Sequence, residues 1–196
     1  MTSLYLARHG ESELNVTGVY FGATNCPLTQ KGKNQCIELR EKLSDVKFDV
    51  IITSPLIRAF HSSELISNVL REDIIVMNGL MELDFGAWEG MHYKDIEEKY
   101  SSQWELWIKA WVNASPPNGE SFKDFYTRVK ISLENILSKY KDKKILVVCH
   151  QGTLRVIASI LLDMNINGYW RFAFDYGKYS LFEITDGYAV LKKINS

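Results

Sequence analysis

Leu4-Tyr-Leu-Ala-Arg8-His9-Gly10-Glu11-Ser12 is the stretch on which the fold assignment turns. Its unbroken apolar start reads as a short strand buried on both faces, as in a parallel sheet covered by helices. The strand ends in Arg8-His9, which places both side chains on a stiff support. Gly10 then lets the chain turn sharply and brings backbone N–H groups close to any ligand at the strand end. Taken alone, the segment reads equally well as a strand ending at an ordinary polar turn.

Outward from this strand, short apolar runs alternate with amphipathic segments. Thr29 caps a helix expected to run toward Val46, with Cys36, Leu39 and Leu43 on one face. A strand over Phe48–Thr53, a helix over about Ile57–Leu70 and a short strand at Ile74–Met77 follow. A helix beginning near Glu120 carries a continuous stripe from Phe122 to Tyr140. Lys144–Cys149 is a β-branched strand, and a helix over Leu154–Leu162 succeeds it. Tyr179–Thr185 and Tyr188–Ile194 flank Asp186-Gly187, a hairpin signature. Strands separated by helices predict a three-layer α/β/α sandwich around a mostly parallel sheet, within one domain spanning residues 1–196. The tryptophan-rich stretch 85–119 breaks the rhythm and is expected to form a helical lid over the carboxyl ends of the strands, where such sheets bind ligands.

Composition bounds the function. The 196 residues are 46% hydrophobic with a net charge of −1, enough for a core but without the basic field that a nucleic-acid or membrane partner would need. Cys26, Cys36 and Cys149 fit neither a disulfide framework nor a zinc site, so reduced thiols and no metal are expected. The apolar run before His9 is too short for a signal peptide. A cytoplasmic protein is expected, with the Asn15-Val-Thr17 sequon unused.

Three further segments resemble the first in chemistry. Val147-Val-Cys-His150-Gln151-Gly152 is again an apolar strand ending in histidine, with glycine close behind. If the two strands are neighbours, His9 and His150 share a pocket. Ser54-Pro-Leu-Ile-Arg58-Ala59 leads from a strand into a helix whose first turn carries an arginine, an arrangement suited to an anion. Its plainer reading is a surface ion pair. Glu82, two residues before Asp84 amid apolar positions, would have the raised pKa of a general acid if partly buried; otherwise both acids are solvated turn residues.

Together, Arg8-His9-Gly10-Glu11-Ser12 with Asn15, Ser54 to Ala59, Glu82 and His150 resemble, in order and spacing, the histidine phosphatase superfamily of phosphoglycerate-mutase-like proteins. The resemblance implies that His9 is the nucleophile and that Glu82 moves the proton on and off the leaving group. It also implies that Arg8, Asn15, Arg58 and His150 hold the phosphoryl oxygens, with no metal or cofactor. The chain departs from the family's usual His-Gly-Gly at His150-Gln151-Gly152; the Gln151 backbone N–H can still face phosphate. The segment Leu83-Asp-Phe-Gly-Ala-Trp-Glu-Gly90, with Trp104, Trp107 and Pro116–Ser121, resembles the α-ribazole phosphatase branch. That branch implies a small-molecule phosphate monoester as partner and a role in cobalamin biosynthesis; a monomer or a homodimer is expected, since the final strand could pair across a dimer edge.

The alternatives are a broad-specificity phosphatase, a cofactor-dependent mutase, a non-catalytic phosphometabolite-binding module, and a metallohydrolase using His9, His150 and Asp84. Trp104, Trp107 and Trp111 would share one face of a helix. They are expected to pack the lid on the body, with stacking on a substrate base as the sharper option. His61 and His92 match no motif and are expected at the surface or in structural roles.

Overall fold

The computed structural model describes residues 1–196. Six strands, β1 (Thr2–Arg8), β2 (Val50–Thr53), β3 (Ile74–Val76), β4 (Lys144–Cys149), β5 (Tyr179–Thr185) and β6 (Tyr188–Lys193), form one sheet in the order β3-β2-β4-β1-β5-β6. The first four are parallel, and the β5–β6 hairpin closes one side antiparallel to β1. The helices are α1 (Gln30–Lys42), α2 (Ile57–Ser67), α3 (Tyr93–Lys99), α4 (Ser101–Ala110), α5 (Phe122–Lys139) and α6 (Gln151–Leu161). None is long and apolar enough to cross a membrane.

The three layers follow from the period-two alternation of the central strands. Leu4 and Leu6 of β1, with Ile145, Val147 and Cys149 of β4, face Phe125, Val129 and Leu133 of α5 and Leu154 and Ile157 of α6. Tyr5, Ala7, Leu146 and Val148 face the other way, onto Cys36 and Leu39 of α1 and Phe60 and Ile66 of α2. A one-residue slip of β1 would exchange these two sets, so burial on both faces fixes the register.

Several element ends differ from the sequence reading, for local reasons. Helix α1 stops at Lys42 rather than near Val46, and the Leu43 N–H closes its last turn. Helix α2 ends at Ser67, where Asn68 adopts a left-handed conformation (φ 53°). Helix α5 starts at Phe122 because the Ser121 hydroxyl accepts from the Asp124 N–H at 3.1 Å. Helix α6 starts three residues before Leu154, directly at the end of β4, with His150 as its N-cap residue. This last difference bears on the chemistry, because it turns the Gln151–Gly152 backbone into a helix N-terminus at the sheet's carboxyl edge.

Candidate active site

Register brings the two strand-end histidines together. β1 and β4 are parallel neighbours with Arg8 opposite Cys149, so His9 and His150 follow side by side, their ring centroids 5.1 Å apart. Both are buried. His9 Nδ1 lies 2.7 Å from the Gly10 carbonyl, which can only accept. Nδ1 therefore carries the ring proton, and Nε2 keeps its lone pair. Burial, then Arg58 and Arg8, hold the His9 pKa well below the ordinary histidine range, so the ring is neutral. His150 is depressed likewise by burial and then Arg58. Its Nε2 lies 2.7 Å from Ser54 Oγ, while its Nδ1 is buried without a partner.

The sharp turn after His9 depends on Gly10. A Cβ there would lie 2.2 Å from the Gly32 carbonyl oxygen of α1, which leaves no room for any side chain. The turn is held by the Gly10 N–H, which donates to Ser62 Oγ of α2 at 3.0 Å.

The arginines are inside the fold. Arg58, at 1% exposure, forms no surface ion pair; its Nη groups donate to the Thr24 carbonyl (2.8 Å) and the Gly22 carbonyl (2.6 Å). Arg8 Nη1 donates to the Phe174 carbonyl (2.7 Å) and to Gln151 Oε1, and its guanidinium lies 3.6 Å from the centroid of the Tyr176 ring. The Gln151 side chain, absent from the usual family pattern, thus anchors Arg8. The Nε groups of Arg8 and Arg58 are buried without hydrogen-bond partners. Two unsatisfied cationic donors in one site are costly unless an anion takes them up.

Glu82 completes the polar set. Its Oε2 accepts from the Gly152 N–H at 2.8 Å, and Oε1 from the Leu83 N–H at 3.0 Å. A Cβ on Gly152 would lie 2.3 Å from Glu82 Oε1, so glycine is needed here for the carboxylate to reach the start of α6. Asn15 spends its side-chain oxygen on Ser12, taking the backbone N–H (2.9 Å) and the hydroxyl (2.7 Å), which leaves only its amide donors for a ligand.

One cavity of about 390 Å³ joins these groups. Arg8, His9, Asn15, Arg58, Glu82 and Gln151 line it; His150 does not, although its ring stands beside that of His9. Asp84 is turned to its own loop, where Oδ1 accepts from the Gly86 N–H (2.8 Å), and no group of three or more His, Cys, Asp or Glu side chains sits close enough to hold a metal ion. His61 and His92 are exposed and neither lines this cavity.

The upper wall departs from expectation. Of the insertion 85–119, only Phe85 lines the cavity; the other aromatic wall residues are Tyr20, Phe21, Tyr169 and Trp170. The insertion braces the wall from behind. Trp104 and Trp107 pack edge-on against the fully buried Trp88 at 5.8 and 5.7 Å, while Trp104 also meets Tyr20 and Trp107 meets Phe85. Trp111 lies one residue past α4 and packs on Phe122 (4.4 Å), so the three tryptophans do not form one stripe and none lines the cavity.

Glu89 was not singled out from the sequence. Its carboxylate accepts from the backbone N–H groups of Gly22, Ala23, Thr24 and Phe85 at 2.8–3.1 Å. The same Gly22–Thr24 backbone supplies the carbonyls that hold Arg58. Glu89 is 65–67 residues from the loop it organises, a separation over which no local pattern announces the contact.

Known proteins resemble this chain over nearly its whole length. The model of the histidine phosphatase superfamily (branch 1) matches residues 4–196. The adenosylcobalamin/α-ribazole phosphatase of Salmonella typhimurium is 35% identical over 193 residues, 98% of this chain and 96% of that protein. Phosphoserine phosphatase 1 of Hydrogenobacter thermophilus is 31% identical over 195 residues, covering 100% of this chain and 92% of that protein. The crystal structure of the α-ribazole phosphatase from Shigella flexneri is similar at a TM-score of 0.95 and 35% identity, over 99% of this chain and 96% of that one.

Proposed function

This chain belongs to the histidine phosphatase superfamily and is a phosphatase; we propose that it hydrolyses α-ribazole 5′-phosphate through a phosphohistidine on His9. The observation that carries the reading is the neutral, Nδ1-protonated His9 ring, facing a cavity beside two buried arginines with unpartnered Nε groups.

In the proposed first step the His9 Nε2 lone pair forms a bond to phosphorus as the bond to the ester oxygen breaks. Glu82 gives that oxygen its proton, so the alcohol leaves neutral. In the second step water attacks phosphorus, its proton passes to the Glu82 carboxylate, and the P–N bond breaks to release inorganic phosphate. Arg8 and Arg58 offset the charge on the phosphoryl oxygens throughout, held in place in advance by the Phe174, Gly22 and Thr24 carbonyls. His150 is assigned the same role through its place beside His9: with Ser54 Oγ donating to its Nε2, its Nδ1 carries the proton and has no partner within the protein. The N-terminus of α6 adds its backbone donors and dipole.

The substrate follows from the relatives named for α-ribazole phosphate, which match nearly the full chain. The reading also places the enzyme in the cytoplasm and in cobalamin biosynthesis. The test is kcat/KM across α-ribazole 5′-phosphate, phosphoserine, 3-phosphoglycerate and an aryl phosphate, each with chelator present. A preference for α-ribazole 5′-phosphate of about a hundredfold or more is expected. A flat profile or a preference for phosphoserine would overturn the substrate, and loss of activity in chelator would overturn the metal-free mechanism.

A further inference from the structure

We propose that Trp170, braced by Arg155, is the platform on which a flat aromatic leaving group stacks. The inference rests on the reading that the cavity around His9 is the phosphatase site. Trp170 lines that cavity and yet is 61% exposed, in a short 3-10 segment, Ile166–Arg171. Its indole is nevertheless held on several sides. Tyr169 meets it edge-on at 4.9 Å (86°) and Trp111 at 5.6 Å (74°). The Arg155 guanidinium lies over its ring at 5.1 Å from the centroid. Arg155 is itself fixed by α6 and by its Nε, which donates to the Phe172 carbonyl at 2.8 Å. It lines the same cavity and forms no ion pair with any carboxylate.

The arrangement is that of a preorganised stacking surface. A largely exposed indole lines a site, and its orientation is already fixed, so little side-chain freedom is lost on binding. The cation over the indole adds a charge at the rim, where hydroxyls or ring nitrogens of a nucleoside-like group would pass. The phosphoryl end of the substrate is held by the buried set at His9, so the wall has only to recognise the rest. A small aliphatic alcohol would leave the indole uncovered.

The test compares kcat/KM for two aromatic esters, α-ribazole 5′-phosphate and 1-naphthyl phosphate, with that for two aliphatic ones, glycerol 3-phosphate and phosphoserine, in wild type, Trp170→Ala and Trp170→Phe. The quantity read is the ratio of aromatic to aliphatic kcat/KM within each preparation, so any loss of folded enzyme cancels. Trp170→Ala is expected to lower that ratio by about tenfold or more, in KM rather than kcat, with Trp170→Phe restoring most of it. A smaller fall in Trp170→Ala, or an equal fall in Trp170→Phe, overturns the platform. The wild-type profile judges the substrate separately: α-ribazole 5′-phosphate can lose its preference while the tryptophan dependence of aromatic esters stands.

Discussion

The cavity's floor and its wall are built by different means. The floor is made by the sheet: β1 and β4 lie in register, and His9, His150 and Arg8 follow from which strand ends are neighbours. These groups are buried or nearly so; His9 and Arg8 are hydrogen-bonded to the Gly10 and Phe174 carbonyls, and His150 to Ser54 Oγ. The wall is made by irregular chain: the Tyr20–Phe21 loop, Phe85 and the 3-10 segment bearing Tyr169 and Trp170. Aromatic rings there meet mostly edge to face, with Arg155 over Tyr169 and Trp170. A floor of this kind fixes the reaction, and a wall of this kind sets which alcohol leaves. Mutations on the two sides should therefore differ in kind as well as in size.

The largest effect belongs to the floor. Arg58→Lys keeps a charge but loses the planar fork that spans the Gly22 and Thr24 carbonyls, and kcat/KM should fall by about 10²- to 10³-fold, chiefly in kcat. Steady-state kinetics on an aryl phosphate checks it; a change confined to KM would mean that Arg58 holds ground state and transition state alike.

Glu89 joins the two regions, since one carboxylate secures Phe85 of the wall and the loop carbonyls beneath Arg58. Glu89→Gln turns an amide donor toward backbone donors, so we expect a loss of about 2 kcal/mol in denaturant unfolding, together with a raised KM. Unchanged stability would show that the loop is held by something else.

Acid should act through the floor. His9 and His150 are both held neutral in the folded protein, their pKa values pushed below 6.5 by burial and by arginine. Below pH 6.5 the unfolded chain takes up protons that the folded chain refuses. Their contribution to stability is therefore complete above about 6.5 and is lost as pH falls from there toward the depressed folded values, by up to about 1.4 kcal/mol per pH unit for each. Unfolding followed from pH 7.5 to 5.5 should show this slope, and His9→Asn should flatten part of it. The smallest effect belongs to the wall: Phe85→Leu should raise KM about threefold and leave kcat nearly untouched.

The same division explains what was legible in the sequence. The sheet and its two helical layers follow from apolar runs and periodicity, and β4 matches its expected bounds, Lys144–Cys149. His9 and His150 could be placed together because two strands end alike. Gly152 hid the start of α6, since glycine reads against helix; it is tolerated because Glu82 occupies the space a side chain would need. Arg58 alone left an anion site and a surface ion pair both open, because a first-turn position does not say whether the side chain is buried; only long-range packing buries it. Trp170 lies in Asn167-Gly-Tyr-Trp-Arg171, a run with no period from which to read a face. The tryptophans that did show a period, Trp104 and Trp107, pack behind the wall against Trp88 rather than facing the cavity.

The most direct test of the account is to quench the enzyme in base during turnover of an aryl phosphate, since phosphohistidine survives base and is lost in acid, and to map the phosphoryl group by peptide mass spectrometry. The account predicts one phosphoryl group on the peptide bearing His9, at Nε2, absent from His9→Ala. A phosphoryl group on His150 or on any other residue, or a His9→Ala enzyme that still turns over at the wild-type rate, would contradict it.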